Sequence, residues 1–163
     1  MTSEERSIKL DRMLYTKDKM ASRLILLAIV LDALYFVSIY QTDVGNYYYT
    51  WIIGASVVYN LLFMLLAFLA SEGVKSRKTG FTPLLSVLGV MQFVRIFYLP
   101  AKAHGATVEI QKEIHRVMTD GQYYYVIALL AVSGVLCIAA GIISLIHNKN
   151  LAEYVRSQEN ENA

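Results

Sequence analysis

Cysteine occurs once in this chain, at Cys137. A single cysteine excludes an intramolecular disulfide, a CxxC redox centre and any cysteine-based zinc site. Its place inside an apolar run marks it as a small packing residue. Charge is also scarce. Asp, Glu, Lys and Arg make up 17% of the 163 residues, and the net charge is only +2. Neither a polyanionic partner nor a nucleic-acid-binding stripe is implied. There is no Walker loop, no HExxH and no GxSxG, so the commonest catalytic signatures are missing. Of the three histidines, His104 and His115 fall in one loop and His147 at the end of an apolar run. His115 with Glu109 or Glu113 falls short of a metal ligand set, and solvated positions are the expected role. Disulfide-forming membrane oxidoreductases need cysteine pairs. Glutathione-using four-helix membrane enzymes need several intramembrane Arg, Glu and His residues. Neither pattern fits. No metal, no cofactor and no enzymatic activity are expected.

What is present is apolar. Hydrophobic residues make up 56% of the chain, and the mean hydropathy is +0.43, above the range of ordinary soluble domains. Four apolar runs cover 22–41, 50–71, 82–100 and 123–147. A membrane-spanning helix needs roughly 20 mostly apolar residues. Runs one, two and four meet that cleanly. Run three is weaker because it carries Gln92 and Arg95, and Pro83 and Pro100 bracket it where a helix is expected to begin and stop. The expected fold is all-α, a four-transmembrane-helix bundle forming one integral membrane domain over 1–163.

Loop charges give an orientation. The first loop, Thr42 to Tyr49, has no Lys or Arg, whereas the second, 72–81, has Lys75, Arg77 and Lys78. The first 23 residues are basic, and the tail at 148–163 carries Lys149 and Arg156. Short cytoplasmic loops collect Lys and Arg. Both termini and the second loop are therefore expected in the cytoplasm, with the chain multi-pass in the cell membrane. In the third loop Lys102, Lys112 and Arg116 are accompanied by Glu109, Glu113 and Asp120. Were run three not to span, the C-terminus would lie outside.

The N-terminal segment, 1–21, is not expected to serve as a signal peptide, because many charged residues precede the first run and that run contains Asp32. Thr2 and Glu5 have capping-box spacing. Ile8, Leu10, Met13, Leu14 and Met20 interleave with Lys9, Arg12, Lys17, Lys19 and Arg23, which suits either a helix on the inner membrane surface or a solvated tail. In the third loop Ile110, Ile114, Val117 and Met118 fall at i, i+4, i+7 and i+8. The spacing predicts a short amphipathic outer-surface helix over 107–118, begun by Thr107 and ended by Gly121, its apolar side against lipid, the bundle or a partner. A Thr-Asp pair shortly before a Tyr-Tyr-Tyr run appears twice, at 42–49 and 119–125. Tyrosines enriched at the interface explain this echo more simply than a duplicated hairpin does.

The polar residues inside the runs need the most explanation. Asp32, Asn60 and Gln92 each lie about 14 Å below the outer end at about 1.5 Å per residue, and Arg95 about 8 Å below it. A charged side chain at a helix centre costs roughly 2.5–3.5 kcal/mol on insertion scales. Pairing Asp32 with Arg95, bracketed by Asn60 and Gln92, removes most of that cost. Tyr35, Tyr59 and Tyr98 are placed to add hydroxyls. The group either locks the register of the bundle or forms a ligand, ion or proton site. Run four instead offers Gly134, Cys137, Gly141 and Ser144, a small-residue face for close packing against a helix of this chain or of another subunit.

The leading expectation is a non-enzymatic structural or accessory subunit of a larger membrane complex. Its partners would be the bilayer and another membrane subunit or a second copy, with no nucleic acid. The alternative is a small oligomeric transporter or channel that uses the Asp32, Asn60, Gln92 and Arg95 cluster.

Overall fold

A computed structural model describes residues 18–44, 50–110 and 112–161, together with Glu5, Ile8 and Arg12. Helix dominates. α1 is Lys19–Tyr40, α2 is Thr50–Lys75, α3 is Phe81–Ala103 and α4 is Asp120–Glu161. All four contain stretches long and apolar enough to cross a membrane. Between α3 and α4 lies an antiparallel hairpin of β1, Thr107–Ile110, and β2, Glu113–Arg116. Glu5, Ile8 and Arg12 are helical and exposed. Of the segment expected over 1–21, the capping residue Thr2 and the rest of positions 1–17 lie outside the described residues, as do Tyr47, Tyr48 and Tyr49 of the first tyrosine run.

Local chemistry sets the helix ends. Asp18 caps α1, its side chain accepting from the Ala21 amide at 3.3 Å. α2 ends where Arg77 takes a positive φ of 54°. There the Lys78 amide reaches back to the Gly73 carbonyl at 3.0 Å, and a residue in the left-handed region lets the last carbonyls be satisfied. Pro83 sits in the first turn of α3, where its missing N–H costs nothing. Pro100 does not stop that helix as expected; it lies inside α3, which runs on to Ala103. Thr119 and Gln122 form a reciprocal capping box for α4, with Thr119 N–H donating to Gln122 Oε1 at 2.9 Å and Gln122 N–H to Thr119 Oγ1 at 3.3 Å. Gly121 therefore falls within the first turn of α4 instead of ending a helix. α4 has 42 residues, about 63 Å at 1.5 Å each, roughly twice the hydrocarbon thickness. The run expected over 123–147 lies within its candidate membrane span, Asp120–Ser157, and the helix continues to Glu161.

Every helix buries one seven-residue repeat. In α1 the buried stripe is Ala21, Ile25, Ala28, Asp32, Tyr35 and Ile39; in α2 it is Ser56, Asn60, Phe63, Ala67, Ala70 and Val74. In α4 it is Val126, Leu130, Ser133, Cys137, Ala140 and Ser144. α3 follows the same rhythm through Leu85, Leu88, Gln92, Arg95 and Leu99. Alternating steps of three and four residues keep one seam of each helix facing the bundle axis. Leu27, Val58, Leu65, Val87, Phe97 and Val132 point outward and are exposed, as lipid-facing residues must be.

α4 packs most extensively on α3 and α1, α1 packs on α2, and the α2–α3 contact is the slightest of the four. The helices thus form a ring in chain order. At one end Asp18 joins three of them: its amide donates to the Lys75 carbonyl at 3.3 Å, and its carboxylate meets His147 Nδ1 at 2.8 Å. At the other, the Asp43 amide donates to the Val117 carbonyl at 3.1 Å, tying the end of α1 to the segment that leaves the hairpin.

The amphipathic helix expected over 107–118 is replaced by that hairpin. Its pairing runs Thr107↔Arg116 to Ile110↔Glu113, with Lys112 at a φ of 69° in the turn, the left-handed backbone that tight hairpins favour. Thr107, Val108, Ile110 and Ile114 are β-branched and suit a strand, and an isolated helix of about twelve residues is marginal. Of the four residues that gave the helical spacing, Ile114 is 78% exposed, whereas Val117 and Met118 are buried in the bundle after the strand has ended.

Candidate functional site

The bundle interior contains two separate apolar clusters. One, toward the Asp18 end, is built on Ile25, Ala28, Phe63, Ala67, Leu85 and Cys137. The other, toward the hairpin, is built on Tyr35, Ile39, Leu99, Val117, Met118 and Leu130. Between them the seams of all four helices turn polar at once, with Asp32, Asn60, Gln92, Arg95 and Ser133 all buried. Asp32 lies eight residues from the last residue of α1, Tyr40, about 12 Å from that end at 1.5 Å per residue.

The four residues expected to meet do meet. Asp32 Oδ1 accepts from Arg95 Nη1 at 2.7 Å and from Gln92 Nε2 at 3.0 Å. Arg95 Nη2 donates to Asn60 Oδ1. The guanidinium fork is therefore shared between a carboxylate on α1 and an amide on α2, rather than held by one carboxylate through both arms. Side-chain exposure is 0% for Asp32 and 6% for Arg95, so neither charge reaches the outer surface.

The tyrosines take other roles than the hydroxyl donors expected of them. Arg95 Cζ lies 4.2 Å from the Tyr35 ring centre and 5.0 Å from that of Tyr59, so both present π faces to the cation. Tyr98 is drawn away. Three residues beyond Arg95, it is rotated toward the lipid side, half-exposed, with Lys102 Nζ 5.2 Å from its ring centre.

Ser133, on α4, belongs to the same layer and was missed. Its hydroxyl accepts from Gln92 Nε2 at 3.4 Å and donates to the Ala28 carbonyl at 3.1 Å. Helix four therefore adds a hydroxyl to the layer as well as a packing face. The small-residue face itself packs inside this chain. A Cβ on Gly134 would meet Phe93 at 2.9 Å and the Gly89 carbonyl at 3.0 Å, and one on Gly141 would lie 3.5 Å from Leu85. Ser144 Oγ lies 3.1 Å from Thr82 Oγ1, and Cys137 is fully buried. The partner of that face is α3.

The layer is incompletely satisfied. Asp32 Oδ2, Tyr35 Oη, Tyr59 Oη and Asn60 Nδ2 are buried without a partner in hydrogen-bonding geometry. All four belong to residues in contact with Arg95. A cleft of about 280 Å³ opens beside them between α2 and α3, lined by Ala55, Ser56, Tyr59, Val94, Arg95 and Tyr98 among others. The histidines stand apart from the layer: His104 contacts Asp120 at 3.1 Å, His115 contacts Glu113 at 3.6 Å and His147 contacts Asp18. No group of three metal-ligating side chains occurs among the described residues. Comparison with known proteins finds no matching family model, no matching curated protein and no matching solved structure.

Proposed function

We propose that this multi-pass protein is a small non-enzymatic membrane transport protein whose solute site is the Asp32–Arg95 layer. One observation carries the reading. Each polar atom buried without a partner costs roughly 1–3 kcal/mol, and a layer that served only to fix helix register would gain by having none. Here four such atoms gather around one ion pair, beside the least packed helix seam. Positioned but unspent hydrogen-bonding capacity is what a binding site requires.

The orientation goes with the reading. Lys75, Arg77, Lys78, Lys149 and Arg156 lie toward the Asp18 end, against Lys102, Lys112 and Arg116 toward the hairpin. That excess favours the Asp18 end in the cytoplasm and the hairpin outside, in the cell membrane. A thermal-stability screen of the purified full chain against panels of amino acids, sugars, nucleosides and inorganic ions tests the site. A ligand at 100 times its Kd adds about 2.7 kcal/mol of stability. Arg95→Ala and Asp32→Asn, if still folded, should abolish the shift and the vesicle uptake of the stabilising solute. If no solute shifts the wild-type protein, and vesicle fluxes of protons, potassium and chloride match those of empty vesicles, the transport reading fails.

The accessory-subunit reading keeps support from a different place. With the small-residue face of α4 occupied, the exposed Ile114 and the open edges of the hairpin offer the surface for a second subunit. Purification in mild detergent should then retain a partner protein that Ile114→Asp releases; retention unchanged by that substitution would count against it.

A further inference from the structure

We propose that the cleft between α2 and α3 admits an uncharged amphiphile sideways from the bilayer, its head reaching Tyr59 and Arg95 and its apolar tail lying along the seam. The proposal rests on the layer being a binding site and names the class of ligand. Three observations converge. Val94 and Tyr98 at the cleft are exposed on the lipid-facing side, so the opening is lateral. Arg95 and Tyr59 form its inner wall, and Tyr59 Oη is one of the unpartnered polar atoms. A volume of about 280 Å³ holds about nine water-sized groups at roughly 30 Å³ each, enough for a compact head and the first part of a chain.

The charge balance selects the head. Arg95 already has Asp32 at 2.7 Å, so the site carries no net charge. An anion would sit near an unyielding carboxylate, and a cation near a guanidinium. Either would need desolvation without a free countercharge. The spare groups are the Tyr35 and Tyr59 hydroxyls, which both donate and accept, the donating Asn60 Nδ2 and the accepting Asp32 Oδ2. They suit a hydroxyl, carbonyl or amide head.

The full chain in phosphatidylcholine vesicles would be irradiated with a diazirine-bearing monoacylglycerol, and the labelled positions mapped by mass spectrometry. A diazirine fatty acid and a diazirine alkylamine serve as charged comparisons. The monoacylglycerol should label residues 91–98 at least five-fold above the lipid-facing residues of α4. Val94→Trp and Ala55→Leu, which narrow the cleft, should each remove most of that labelling, and Val135→Trp on the exposed side of α4 should not. Tyr59→Phe should lower it several-fold while the protein still elutes as a folded species. Neutral lipid co-extracted with the purified protein would identify a resident bilayer component; labelling seen only on addition would identify a delivered solute. Even labelling over all four helices, labelling unaffected by both narrowing variants and by Tyr59→Phe, or stronger labelling by either charged probe would overturn the proposal. Those outcomes leave the solute screen untouched, so the two readings fail separately.

Discussion

Replacing Asp32 by Asn removes a charge and almost no volume. One oxygen remains to accept from Arg95 and Gln92, now at 2.7 Å and 3.0 Å. The countercharge is lost. Arg95 lies eight residues before Ala103 at the end of α3, about 12 Å at 1.5 Å per residue, and a guanidinium cannot shed its proton. Removing one member of a buried pair costs about 3–5 kcal/mol, and Asp32→Asn should fall in that range. Arg95→Met leaves the opposite remainder. A lone carboxyl can be neutralised by a proton, and the Gln92 bond stays in place, so its cost should be smaller, about 1–3 kcal/mol. The double variant leaves no charge in the layer and should recover about 2–3 kcal/mol relative to the sum of the singles. Unfolding by sodium dodecyl sulfate titration in mixed micelles measures all four proteins. An Asn variant no worse than the Met variant, or a double variant additive within about 0.5 kcal/mol, would refute the pair as the energetic centre of the layer.

Other substitutions probe the rest of the frame. Gly89→Ala would set a Cβ 2.9 Å from the Gly134 carbonyl and 2.5 Å from Ile138, and overpacking of this kind costs about 1–3 kcal/mol; Gly54→Ala meets nothing within 4 Å and should be neutral or stabilise by up to about 1 kcal/mol. Thermal unfolding in detergent separates the two. Asp18→Ala removes both the α1 cap and the His147 contact and should cost about 1–2 kcal/mol, whereas Asp18→Asn keeps a capping oxygen and should cost less; equal losses would deny the cap. Ser133→Ala should lower stability by about 0.6 kcal/mol, the average for hydrogen bonds between membrane helices, and by no more than about 1.7 kcal/mol; no loss in the same titration would show that Gln92 does not depend on it.

The spans were legible because roughly twenty apolar residues in a row leave few alternatives. The ion pair was legible for a related reason: Asp32 and Arg95 are both unaffordable against lipid, so each implies the other. Ser133 was hidden because a serine is cheap in a helix and announces nothing by itself. Reading run four through Gly134 and Gly141 put attention on the contact with α3. The seven-residue rhythm through Val126, Leu130, Cys137 and Ser144 would have placed Ser133 on the central seam. The hairpin was hidden because Ile110, Ile114, Val117 and Met118 fit a helical period, yet two of them are buried for tertiary reasons beyond the strand. The direction of the tyrosine rings, faces toward Arg95 in place of hydroxyls, depends on side-chain placement that no spacing encodes.

The position of the loose seam follows from how the polar layer divides the core. On the Asp18 side, α2 supplies Phe63, Ala67, Ala70 and Val74 to the buried cluster. On the hairpin side, the fully buried hydrophobic residues come from α1, α3, α4 and the segments at Val44 and at Val117 and Met118; among the described residues α2 adds only the partly buried Ile52. That half of α2 is therefore held by few contacts: the Ile53 carbonyl accepts from Tyr40 Oη at 3.5 Å, Ser56 is buried, and the Asn60 amide oxygen accepts from Arg95. The hydrogen bond that closes the ring around the cation is also the one a solute at the layer would compete for. Weak apolar packing above Asn60, strong packing below it and a cleft that reaches Arg95 together make the upper part of α2 the element best placed to move in the proposed transport. Cross-linking paired cysteines at Ser56 and Leu99 in a Cys137→Ala background would restrain that movement. Solute uptake should then fall at least five-fold and return on reduction; uptake unchanged by the cross-link would show that the seam stays closed while the site works.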